Sequence, residues 1–132
     1  MYYSNMFLEQ ICNKWEKNVK RLEERIERLE YYVNELMKLV DVSQKPFSVL
    51  LLKSCTNEKE IEDIKRKCEN VNIEFQKQKA EGLLHFDPLL NSFINELPST
   101  IYIDDLVTAA IIEGYYTDVM TEFRRLLQKR SI

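Results

Sequence analysis

Glycine and proline are nearly missing from this sequence, with two and three residues among 132. So few turn formers, set among many Glu, Lys and Leu, exclude a loop-rich or collagen-like chain and suit long helices joined by short connections. Histidine occurs once, at His85, and the cysteines are three: Cys12, Cys55 and Cys68, widely spaced and with no CxxC pair. One imidazole and three scattered thiols cannot assemble a recognisable zinc spacing, so no metal site is expected. The odd count also argues against a disulfide framework and for a reducing compartment. With glycines only at 82 and 114 there is no Gly-rich loop to cradle a phosphate. No stretch approaches the ~18 apolar residues of a membrane span, and Met1-Tyr2-Tyr3-Ser4-Asn5 lacks the basic start and apolar middle of a signal peptide. A cytoplasmic location is expected, the nucleus being the other compartment that fits, with no membrane insertion.

Charge of one sign is lacking too. The formal net charge is −3, and lysines and arginines alternate with glutamates. Binding a nucleic acid needs a basic face that releases counterions, and none dominates. Lys65-Arg66-Lys67 is flanked by Glu62, Asp63 and Glu69, the pattern of a solvated helix face. Between Glu81 and Glu122 there is no Lys or Arg, while Asp87, Glu96, Asp104, Asp105, Glu113 and Asp118 fall inside that stretch. Acids at helix starts account for most of it. Catalysis needs convergent reactive groups. His85 lies in a loop near Asp87 with no serine beside it, and Asp104-Asp105 reads as a helix start. No catalytic residue and no cofactor site is assigned, and the chain is not expected to be an enzyme.

What is abundant is amphipathic pattern. The chain is 45% hydrophobic, 31% charged and 11% aromatic, the last too high for a disordered segment. Leu8, Cys12, Trp15, Val19, Leu22, Ile26, Leu29, Val33, Leu36 and Val40 step alternately by four and three, which is an unbroken heptad repeat. Cys12, Val19, Ile26, Val33 and Val40 occupy position a, and Leu8, Trp15, Leu22, Leu29 and Leu36 occupy position d. β-branched residues at a with leucine at d favour a parallel two-stranded coiled coil, since each rotamer suits its own layer. Position e holds Glu9, Glu16, Glu23, Glu30 and Met37; position g holds Ile11, Asn18, Arg25, Tyr32 and Leu39. Arg25 and Glu30 stand in the g-to-e relation that pairs across a parallel dimer. Ile11, Met37 and Leu39 widen the apolar stripe towards the ends, as in helices with more than one neighbour. Tyr31 at f and Tyr32 at g are either exposed anchors for a partner or residues packed on the later helices.

The spacing predicts a first helix capped by Ser4 or Asn5 and running to about Val42, since the residue before Pro46 disfavours helix. That is roughly 38 residues or ~57 Å. A short apolar helix follows in Ser43–Cys55. Asn57 with Glu60 resembles a capping box, opening a helix with Ile61, Ile64, Cys68, Val71 and Phe75 on one face and Gly82 just past its end. Asp87-Pro88 is an N-cap and N1 pair; Leu89, Leu90, Phe93, Ile94 and Leu97 follow, and Pro98 stops that helix. Ile101-Tyr102-Ile103 reads as extended. Asp104 then caps a last helical stretch, which Gly114 either divides or destabilises by about 1 kcal/mol. Helix, Gly114-Tyr115, helix and then Phe123 is similar to the second half of a LisH dimerisation motif, with Leu106-Val107 sitting closer to the glycine. That likeness implies dimerisation and assigns no residue roles.

The expected architecture is all-α. Residues 1–42 form a long coiled-coil helix, and 43–132 form a bundle of three to four shorter helices packing on it, as one structural unit. The expected function is that of a protein-protein interaction subunit. It would form a homodimer or heterodimer through the seam and through Arg25 and Glu30, as a scaffold or adaptor piece of a larger assembly. The alternative is a monomeric bundle acting as a regulatory or chaperone-like binding domain.

Overall fold

The computed structural model describes residues 2–41 and 43–131, with side chains from Met6 onward. It is all-helical among the described residues and divides into two compact units, Met1–Asp41 and Val42–Ile132.

The first unit is a single helix, α1, Tyr2–Leu39, 38 residues long. No glycine or proline interrupts it, and Leu, Glu, Lys and Arg are all strong helix formers. Its backbone is helical from Tyr2, so Ser4 and Asn5 lie inside it and not ahead of it as expected. Their side chains lie outside the described residues. Lys38 closes the last turn, where a cation suits the helix dipole, and its ammonium meets Glu35 at 2.9 Å. The helix stops at Leu39, short of the expected Val42, which lies outside the described residues. Val40 is a bend just past the end.

The second unit holds α2 (Pro46–Ser54), α3 (Glu58–Ala80), α4 (Asp87–Glu96), α5 (Ile103–Glu113) and α6 (Thr117–Arg130). Five shorter helices are present and not three to four, because the last stretch divides at Gly114. That glycine takes φ +87°, and its N–H donates to the Ile111 carbonyl while Tyr115 N–H donates to Ala110, a Schellman termination. α3 ends likewise at Gly82, with Leu83 N–H reaching the Gln78 carbonyl at 3.0 Å. Its start keeps half of the expected box: Asn57 Oδ1 accepts from Glu60 N–H at 2.9 Å, while the Glu60 carboxylate accepts from Thr56 N–H and Oγ, one residue ahead of the N-cap, and not from Asn57 N–H. Two expected starts move, that of α4 by one residue and that of α5 by two, from Asp104 to Tyr102 as N-cap, so that Ile103 is helical and not extended. Phe86 takes the N-cap place of α4, with Asp87 as its first helical residue, and α5 begins at Ile103, which places Asp104 and Asp105 in its first turn. Both shifts keep the acids near the positive helix end.

α5 packs on α2 and α6, and α3 packs on α4 and α6. The face predicted for α3 is the one buried: Ile64, Cys68, Val71 and Phe75. They join Phe47 and Leu51 of α2, Leu90 and Phe93 of α4, Leu106 and Val107 of α5, and Val119, Met120 and Phe123 of α6 in one core. The Phe93 and Phe123 rings lie 5.7 Å apart, and those of Phe75 and Phe86 4.6 Å apart. A contact distant in sequence ties α2 to α5. Glu113 accepts from Ser48 N–H at 2.9 Å and from Ser48 Oγ at 2.8 Å. The carboxylate thus serves the unsatisfied amides and positive end of α2, while sitting at the unfavourable end of its own helix.

Candidate interaction face of the first helix

Spacing of three and four residues puts the seam of α1 along one side of the helix. Leu8, Cys12, Trp15, Val19, Leu22, Ile26, Leu29, Val33 and Leu36 line it, and Val40 follows the helix end. All of them are exposed, from 46% at Val40 to 68% at Trp15. The contrast with the second unit decides their meaning. Leu90 and Leu106 there are 0% exposed, whereas Leu29 and Leu36 on α1 are about 60% exposed. The apolar stripe of α1 is thus exposed along its whole described length, the reverse of the buried stripes in the second unit.

The relief of the stripe is suited to knobs. Ile26, Leu29, Glu30 and Val33 surround a shallow hollow with Asn34 at its edge, and Leu8, Glu9 and Cys12 surround a second. The first is a set at i, i+3, i+4 and i+7, the four-residue hole into which a coiled-coil knob inserts. On the helical wheel the glutamates at e form one flank of the seam. Arg25 at g, with Lys14, Arg21 and Arg28 at position c behind it, forms the other. Among the described residues, α1 carries an ion pair between Lys38 and Glu35, and none involves Glu9, Glu16, Glu23, Glu30 or Arg25. Tyr31 and Tyr32 are exposed, their rings 6.0 Å apart.

The other candidate groups go elsewhere. His85 is exposed in the connection between α3 and α4. Cys68 is buried, and burial pushes its thiol up to about 12, while burial and then Glu60 raise Cys55. Both thiols are thereby less nucleophilic. Of the acids in the stretch without basic residues, Asp87 meets Arg130 at 3.3 Å, Asp118 accepts from Gln76 and Glu113 holds Ser48. In the Lys65-Arg66-Lys67 cluster, Arg66 and Lys67 both pair with Asp63, and Lys67 also donates to the Glu96 carbonyl at 2.7 Å. The Lys67 bond, then the positive charges, hold the Asp63 carboxyl below its ordinary range. No group of three or more His, Cys, Asp or Glu among the described residues is placed to hold a metal, and no described helix is long and apolar enough to cross a membrane.

Two features have no sequence signal. One is a cavity of about 340 Å³ where the α2–α3 and α4–α5 junctions meet, bordered by Cys55, Glu60, Asp63, Lys67, Glu96 and Pro98. Glu60 is bound to Thr56, Asp63 to Lys67, and Lys67 to the Glu96 carbonyl as well. The other is Tyr116, a non-glycine residue at φ +52° that opens α6, with burial raising its hydroxyl above the usual tyrosine range. Leu106, Val107 and Phe123, on which the LisH likeness rests, are closed in the core of the second unit.

These elements define the protein as an all-α chain in which a long helix with an open heptad seam precedes a five-helix bundle. The chain belongs to the family described as protein of unknown function (DUF1878), whose model matches residues 19–128. The match takes in the seam from Val19 onward and all of α2 to α5.

Proposed function

We propose that this protein is a non-enzymatic interaction subunit, whose α1 zips with a helix of another chain into a parallel two-stranded coiled coil within a multi-protein assembly. The carrying observation is the open seam: apolar residues at every a and d place from Leu8 to Leu36, exposed along an unbroken helix. A helix this long draws little stability from propensity and most from packing of its apolar face. The bundle supports the division of labour, since its own apolar residues are buried and its reactive side chains are dispersed, shielded or paired. It would hold a rigid shape beside the coil and present it as a scaffold or adaptor piece.

The test is the molar mass of the tagged full chain purified from cells that make it, beside the variant Ile26→Asp/Leu29→Asp. The wild type should run heavier than one chain, and the variant as a single chain with most of the bundle's helicity kept, because a seam carboxylate has no partner. A variant whose mass equals that of the wild type sinks the proposal.

A further inference from the structure

Resting on the reading of α1 as a pairing helix, we infer that the occupant of its seam is α1 of a second copy of this chain, parallel and in register. The argument is charge complementarity of the two flanks. In a parallel pair, position g of one helix meets position e of the other five residues on. In-register self-pairing therefore sets Arg25 against Glu30 of the second copy, twice by symmetry. It sets Ile11 and Asn18 against Glu16 and Glu23, and Tyr32 against Met37. No like charges meet, and Lys14, Arg21 and Arg28 stand behind g on the side that the partner's glutamates approach. An antiparallel pair brings e to e and g to g, so the glutamate flank faces itself and Arg25 faces a g row that holds no acid to pair with it. One orientation of self-pairing is attractive and the other sets glutamates against glutamates, and among the described residues none of the charges concerned is paired. The seam agrees: Val19, Ile26 and Val33 at a, with Leu22, Leu29 and Leu36 at d, are the set that favours parallel pairs.

The experiment uses the recombinant full chain alone, with self-association followed by sedimentation at low salt. The wild type should form a two-chain species that dissociates on dilution. Arg25→Glu should weaken it about tenfold, the scale of losing and reversing two exposed pairs. Arg25→Glu/Glu30→Arg, which restores both pairs only in a parallel in-register dimer, should recover the wild-type constant. Mild oxidation should also join Cys12 to Cys12, since both stand at the same layer. A wild type that stays a single chain overturns the inference, and so does a double variant as weak as the single one. Neither result touches the Ile26→Asp/Leu29→Asp test, which judges the pairing role of α1 whatever its partner.

Discussion

The two units apply one rule to opposite ends. In α3, apolar residues at Ile64, Cys68, Val71 and Phe75 step by four and three and are buried by α4 and α6. In α1 the same steps run from Leu8 to Leu36, and every residue on them is exposed. The periodicity is identical, so it reports only that a face is apolar. What distinguishes the two is the sequence around them. Turn chemistry (Asn57, Gly82, Asp87-Pro88, Gly114) cuts the second unit into helices of nine to 23 residues whose stripes pack onto one another. α1 has no such punctuation over 38 residues. It is this unpunctuated, exposed stripe on which the proposed pairing role rests.

The contrast breaks most visibly by truncating one leucine in each unit. Leu90→Ala, in the core of the bundle, should cost about 2–5 kcal/mol, read as a fall in the urea midpoint that does not depend on protein concentration. Leu29→Ala removes the same atoms from α1 and should leave that midpoint in place, raising instead the concentration at which assemblies dissociate. If both act alike on the bundle's midpoint, the two stripes are one core and the division is wrong.

Much of the fold could be read from residues whose physics is local. Asn57 with Glu60, Gly82 and Pro88 each solve a problem within about one turn of chain, so the ends of α3 and the start of α4 followed to within a residue or two, while both ends of α1, which no such residue marks, lie three or more residues from the expected places. The heptad seam is local as well, since it needs only one helix. The rest is not local. Glu113 caps α2 through Ser48, 65 positions away in the chain, and no pattern in either segment announces it. Tyr116 adopts a left-handed backbone that residue preferences assign to glycine, and its half-buried ring packs on the core of the second unit. The cavity beside Cys55 needs two junctions brought together. For the seam, periodicity marks an apolar face, which is exposed, and names no occupant, because one chain's pattern carries no second sequence.

Gly114 sharpens the account of punctuation. An added Cβ would meet nothing within 4 Å, so Gly114→Ala has room, and its whole cost is the left-handed backbone at φ +87°. That cost is about 1–2 kcal/mol. A thermal melt should show the bundle losing stability by this amount, with self-association through α1 unaltered. Gly82→Ala, at φ +88° and equally open, should match it. A neutral result at either site would mean that the helix end is set by its neighbours and not by the glycine.

The smallest effect separates a charge pair inside the bundle from one between chains. The Lys67 hydrogen bond, then the charges of Lys67 and Arg66, lower the Asp63 carboxyl below its ordinary 3.8. A lowered folded-state value means that the unfolded chain takes up the proton first. The pair therefore contributes its stability above about pH 3.8 and loses it as the pH falls through the lower folded value. Asp63→Asn should reduce the melting temperature slightly at pH 7, and the gap from the wild type should close in more acidic solution. Asp63 is solvent-facing, so salt should shrink the difference as well. Because both partners lie on α3, the gap must be the same at every protein concentration, whereas the Arg25→Glu effect must grow on dilution. A concentration-dependent gap at Asp63 would place that face of α3 in the interface, and the bundle would then share the pairing role with α1.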